Sequence, residues 1–246
     1  LDNYPRHLLV GQPLTVQALA SGQLPATAHL HMWQASKERQ EQMVVAGQNT
    51  FRHTIASLRE PVTFQAIAGS AASDVGTVEV VEAPAVGNFY IRYQYPDYTG
   101  LPATIQEGSG HVEALAGSEV RIQMGANKPI ARGELVFDDN TRLPLLVRSD
   151  GLLQATAIIT KPGGYRVEVQ DALGFTNQDQ LSYRIDVIPD AVPQIDLLAP
   201  APDMELEEGR VIILEYEARD DFGVRELALV YRAGPFGEKR VVIDRV

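Results

Sequence analysis

The sequence predicts an all-β chain of β-sandwiches arranged in tandem. Three observations carry that reading: short runs alternating apolar and polar residues, turn chemistry spaced between them, and an internal repeat. A length of 246 residues and 26.9 kDa exceeds one sandwich and suits two to three domains of about 100 residues each.

Period-two alternation marks the strands in order. It runs through Leu14–Ala18, Thr63–Ala68 and Val78–Val80, then Glu119–Met124, Tyr165–Val169, Tyr183–Val187 and Ile212–Tyr216. Breakers separate them: Ser21-Gly22, Gly47-Gln48-Asn49, Ser149-Asp150-Gly151, Lys161-Pro162-Gly163-Gly164, Asp171–Gly174 and Gly234-Pro235. The segment Ser36–Val45 reads as a polar inter-strand loop, with one helical turn capped by Ser36 as the alternative.

The repeat sharpens the architecture. Gly11-x-x-Leu14-x-Val16 precedes Leu30 and Met32, and Gly117-x-x-Val120-x-Ile122 precedes Leu135 and Phe137. Gly209-x-x-Ile212-x-Leu214 precedes Leu227 and Leu229 in the same way. The first two sets are offset by 105 to 106 residues and the last two by 92, held over two strands. Pro-bearing hinges follow the first two repeats, Glu82–Val86 and Pro189–Pro193. The expected modules are therefore 1–84, 85–190 and 191–246, joined end to end. The last has 56 residues and only the first strands of a sandwich. Ile212, Leu214, Leu227 and Leu229 are then expected to be partly uncovered, with the missing strands supplied by further chain or by a partner.

Gly164–Gly174 resembles the penultimate strand and following turn of immunoglobulin-like domains. Tyr165, Val167 and Val169 share one face, Tyr165 in the place of a tyrosine corner, while Asp171 and Gly174 form the turn. A longer resemblance rests on Tyr95-Pro96-Asp97-Tyr98-Thr99-Gly100-Leu101-Pro102, Gly110–Val120, Ile188-Pro189-Asp190 with Pro193, and Tyr216–Val224. These segments resemble the ectodomain of an uncharacterised family of large bacterial membrane-anchored proteins carrying tandem Ig-like domains. The resemblance implies a periplasmic or extracellular envelope location, a membrane-anchored full-length protein, and a protein or envelope-polymer partner. It carries over no catalytic residue.

The charge balance, 21 basic against 32 acidic residues for a net −11, argues against a nucleic-acid partner, which needs clustered Lys and Arg. No apolar run reaches the length of a membrane helix. Cysteine is absent, which removes disulfides and thiol nucleophiles and leaves the compartment open. There is no Gly-x-Ser-x-Gly elbow and no phosphate-cradling glycine loop, so no catalytic residue is assigned.

Candidate interaction residues are aromatic. Tyr90, Tyr93, Tyr95 and Tyr98 supply four of the nine tyrosines within ten residues, and Trp33 faces solvent by the repeat alignment. Such side chains stack on sugars or anchor protein interfaces, while core packing at the start of the second module is the competing explanation. His29 and His31 share one strand face and, with His53, form a candidate three-His metal set, although no carboxylate stands nearby in sequence. Calcium is the cofactor considered for the acidic pairs Asp138-Asp139, Glu207-Glu208 and, foremost, Asp220-Asp221, against ordinary turn chemistry. Otherwise no cofactor is expected. The resulting function is a non-enzymatic spacer and interaction segment. A carbohydrate-binding module using exposed Tyr or Trp and a hydrolase with an unrecognised site are the rivals.

Overall fold

Leu14 and Val16 point inward while Thr15 and Gln17 face solvent, and this alternation recurs through the computed structural model. Described are residues 1, 4–22, 25–35, 37–179, 181–200, 209, 211–224, 226–232 and 237–245, among which no α-helix occurs. The chain divides into one unit of Leu1–Ala85 with Gln170–Gln178 and another of Val86–Val169 with Asp179–Val246.

The first unit contains β1 (His7–Leu9), β2 (Leu14–Leu19), β3 (His29–Gln34), β4 (Lys37–Gln42), β5 (Val44–Val45), β6 (Thr50–Ile55), β7 (Val62–Ala68), β8 (Ala71–Ala72) and β9 (Gly76–Val81). One sheet runs β1-β9-β7-β3-β4, with β8 on β7, and the other runs β2-β6-β5. Leu14, Val16 and Phe51 of the second sheet meet Leu30, Met32, Phe64 and Val78 of the first in one buried cluster. Each such burial contributes roughly 1.5–3 kcal/mol, which is what holds two sheets face to face.

The second unit repeats the plan with β10 (Val86–Gln94), β11 (Thr104–Glu107), β12 (Val112–Leu115), β13 (Ser118–Ala126), β14 (Ile130–Phe137), β15 (Arg142–Pro144), β16 (Leu146–Val147), β17 (Leu153–Ile159), β18 (Gly163–Asp171) and β19 (Ser182–Ile188). Its sheets are β12-β19-β18-β14-β15 and β11-β10-β13-β17-β16. Ile91, Val120, Ile122 and Leu153 oppose Leu135, Tyr165, Val167 and Val169 across the core. Antiparallel sheets closed by one parallel edge pair define immunoglobulin-like sandwiches in tandem, the fold class the sequence predicts.

The repeat is visible in backbone bonds. β1 pairs parallel with β9, as β12 does with β19. The Gly11 N–H donates to Leu58 O at 2.7 Å, and the Gly117 N–H donates to Ile159 O at 2.7 Å. Both glycines have φ +85°, and Gly209 has φ +82°, a left-handed turn that excludes most side chains. The turn after β18 also matches expectation: Asp171 Oδ1 accepts from the N–H groups of Leu173 and Phe175.

Two elements differ from the sequence reading. Residues 37–42 form neither a loop nor a helical turn but edge strand β4, paired to β3 in register; Ser36 itself lies outside the described residues. Every β4 residue is exposed, so the strand carries no alternation to detect, and its charges protect the edge. The hairpin pairs β20 (Gln194–Ala199) with β21 (Glu215–Arg219), and β22 (Glu226–Arg232) with β23 (Glu238–Arg245), form two-stranded sheets. β21 starts at Glu215, not Ile212; its partner β20 ends at Ala199, one residue before Pro200. Ile212 is exposed, and Leu214, Leu227 and Leu229 are half-buried, where Val120 and Leu135 are fully buried. Glu207-Glu208 and Gly234-Pro235 lie outside the described residues.

Tyr165 is fully buried and its hydroxyl donates to Gly110 O at 2.5 Å, between β11 and β12. The Tyr183 ring lies 5.3 Å from it and so close to Gly110 that a Cβ there would sit 2.5 Å from the ring. Phe64, the equivalent residue of the first unit, has no hydroxyl and packs edge-on against Tyr4 at 5.0 Å. Burial, followed by the neighbouring Tyr183 and Tyr93, pushes the Tyr165 phenol far above its ordinary value. A raised phenol keeps its proton in the folded state while the unfolded chain ionises. Stability is therefore flat below pH of about 10 and falls as pH rises above it. Tyr165→Phe is expected to cost about 1–3 kcal/mol at neutral pH, because Gly110 O is left buried without a donor. Urea unfolding of the two proteins between neutral and alkaline pH checks both effects: the variant is the less stable at neutral pH and has the shallower alkaline slope.

Candidate functional site

Segments that carry the family resemblance meet at one place in the second unit. After β10, Pro96 opens a 3-10 turn, Asp97–Thr99. Pro96 O accepts from the Thr99 N–H at 3.0 Å and from its hydroxyl at 2.8 Å, and Gly100 closes the turn at φ +63°. This rigid turn presents Tyr98, whose hydroxyl donates to Asp190 Oδ2 at 2.6 Å. Asp190 belongs to the hinge that follows β19. One residue on, the Ala191 N–H donates to Asp221 Oδ2 at 3.3 Å. Asp220 Oδ2 accepts from the Phe222 N–H at 3.3 Å and shapes the turn after β21.

A cavity of about 480 Å³ lies here, lined by Asp97, Tyr98, Thr99 and Gly100 on one side and Phe222, Gly223 and Val224 on the other. Asp190, Asp220 and Asp221 surround the tyrosine. The hydrogen bond to Asp190, then partial burial, then the three carboxylate charges raise the Tyr98 phenol above its ordinary value. Asp220 Oδ1 is buried without a hydrogen-bond partner. The arrangement fastens a hinge and two turns to one another.

The sequence-nominated residues separate. The pleat of β10 divides the tyrosine cluster, with Phe89, Ile91 and Tyr93 facing the core and Tyr90 facing solvent. Tyr93 is only 4% exposed, with its hydroxyl on Gln106, so it is a core residue and not an exposed contact. Tyr95 is half-buried, bonded to the Thr104 hydroxyl at 2.9 Å, and Tyr98 serves the hinge. Trp33 is 37% exposed, beside the His31 ring at 6.2 Å.

The metal candidates do not assemble: among the described residues no three or more His, Asp or Glu are grouped to hold an ion. Asp220 and Asp221 engage backbone N–H groups instead. His29 and His31 lie on β3, whereas His53 lies on β6 of the other sheet. His31 pairs with Glu38 at 3.6 Å and His53 with Glu41 at 3.3 Å. Both carboxylates sit on β4, so reading that segment as a loop hid them. Asp190 was likewise missed as a site residue; its partner is 92 positions away, and only tertiary structure joins them.

Fold and site together define a tandem immunoglobulin-like chain in which the Pro-bearing segment after β19 is bonded by side chains to two turns. No family model matches the sequence, and no curated protein matches it. Among solved structures, the chain is similar to fibronectin(III)-like modules of Clostridium thermocellum CbhA, at 12% identity and TM-score 0.34, over 75% of this chain and 90% of that one. It is also similar to immunoglobulin domains 1–5 of Sidekick-1, at 12% identity and TM-score 0.29, over 94% and 47%. The tandem Ig repeats of Dlar align at 13% identity and TM-score 0.26, over 75% and 93%. Among the described residues no helix is long and apolar enough to cross a membrane.

Tyr98→Phe removes the bond to Asp190 and leaves the fold intact. Amide exchange at Ala191 and Phe222 is expected to accelerate about threefold to tenfold, as suits the loss of one partly exposed hydrogen bond. Hydrogen-exchange NMR checks it, with amides in β13 and β18 unchanged.

Proposed function

We propose that the chain is a non-enzymatic structural segment, a spacer that sets distance in a bacterial envelope protein and offers its surface to a protein or envelope polymer. Its modules in this reading are 1–84, 85–190 and 191–246. The periplasmic or extracellular location and the membrane anchoring of the full-length protein belong to the same proposal and rest on the resemblance of the motif segments.

The observation that carries the reading is the fastened hinge. A Pro-bearing linker alone limits bending. Here Asp190 is additionally held by Tyr98, and Ala191 by Asp221, so the hinge is tied on both sides. Side chains committed to fixing a hinge suit a distance-setting part better than a reactive site.

A second reading, carbohydrate binding through exposed Tyr or Trp, is favoured by Trp33, with Tyr90 also facing solvent. Trp33 lies on the open face of the β3 sheet beside His31, where an indole can stack on a sugar ring. A glycan array separates the two, run with the intact chain and Trp33→Ala alongside an esterase, glycosidase and peptidase panel. The spacer reading expects no Trp33-dependent glycan signal and no turnover. Specific binding lost in Trp33→Ala would replace it with the second reading, and turnover would replace it with a hydrolase.

A further inference from the structure

The second sandwich is open at one end, and its strand lengths give the reason. At this end β15 covers β14, with Arg142 opposite Val136 and Leu143 opposite Leu135. On the facing sheet, β16 pairs with only Gln154 and Leu153 of β17. Thr156–Ile158 therefore have a strand neighbour on the β13 side and none opposite among the described residues. Between this bare edge of β17 and the start of β15 lies a cavity of about 430 Å³, floored by Phe137, Leu143, Ala157 and Ile185, with Pro162 at its side. Ile158, at its lip, is 67% exposed.

The charges around the mouth are largely paired. Lys161 bonds Asp139 at 3.0 Å, and hydrogen bonds from Thr141 and Lys161 hold that carboxyl well below the usual range. Arg142 is bound by Glu134 and by Glu168, which also takes Arg166. Asp138 is left without a cation among the described residues. Its place is fixed: the Asp138 N–H donates to Gly164 O at 3.0 Å, and its carboxylate lies over Gly164. A Cβ on Gly164 would sit 2.9 Å from Oδ2 and 3.2 Å from Oδ1, so glycine is what lets the carboxylate rest there.

An apolar slot with one fixed anion at its mouth fits an aliphatic stem ending in a cation. The open edge of β17 beside it offers backbone groups to an extended chain. We propose that this end of the second sandwich binds a partner polypeptide in extended form, laid along Thr156–Ile158, with a basic side chain inserted in the slot and its cation on Asp138. Net charge of −11 favours approach of such a basic segment. The proposal stands apart from the hinge and does not depend on the spacer reading.

The test is an amide-resolved NMR titration of the full chain with a capped Val-Lys-Val tripeptide, against versions carrying norleucine or acetyl-lysine in place of lysine. The lysine peptide is expected to shift Thr156, Ala157, Ile158, Gly163 and Gly164. The two uncharged versions, and the lysine peptide on Asp138→Asn, are expected to bind about tenfold more weakly, the effect of losing a charge-assisted hydrogen bond. Asp138 is exposed, so the variant folds, and its own spectrum reports that. Absence of shifts with the lysine peptide overturns the proposal. So does equal binding of the norleucine peptide or undiminished binding by Asp138→Asn.

Discussion

The parallel pairing of β12 with β19 is the constraint on which the second unit depends. An immunoglobulin-like sandwich divides its opening segment between two sheets, here β10 on one and β12 on the other. The crossing chain must be held while it passes over the end of the core. Tyr165 does this from inside, through Gly110 O, and the ladder Val112–Leu115 against Ile185–Ile188 does it along the edge. Because that ladder is parallel, β12 and β19 end together, with the Ala116 N–H still donating to Ile188 O at 3.1 Å. The chain leaves the sandwich immediately afterwards, at Pro189 and Asp190, within reach of the turn that presents Tyr98. The bonds of Asp190 and Ala191 thus follow from how the sandwich closes its edge.

The same logic explains why the two sandwiches differ locally while sharing a plan. Phe64 and Tyr165 occupy the same place, yet only the tyrosine can satisfy a crossing carbonyl; the first unit fills the space with Tyr4 instead. β4 and β15 follow equivalent strands, yet one continues for six residues and the other for three. Repetition preserves the buried face, where a misplaced side chain costs several kcal/mol, and leaves edges and ends free to vary.

Much of this was legible in the sequence because burial writes a period of two. Leu14, Val16, Val120, Ile122, Tyr165 and Val167 were placed correctly from alternation and a constant offset, and all are buried. Strand β4 was not legible, since an edge strand exposed on both faces has no period. Tyr93 goes to the core-packing explanation that competed with an exposed contact; position 93 shares the parity of Ile91, and both are buried. The hinge site was legible only as separate motifs. Tyr98, Asp190 and Asp221 each sit in a segment marked by its residues, but their meeting depends on register in β12–β19 and on the turn after β21. No local pattern encodes either.

The central proposal is that the Pro-bearing segment after β19 acts as a hinge held by Tyr98 and Asp221. The absence of cysteine makes a direct measurement clean, because two introduced cysteines can be spin-labelled without background. Labels at Arg121 on β13 and Arg232 on β22 report the distance across the hinge by pulsed electron resonance. The account predicts one narrow distance distribution in the parent chain, broadened when Tyr98→Phe and Asp221→Ala are combined. A broad distribution in the parent, unchanged by those substitutions, would contradict it.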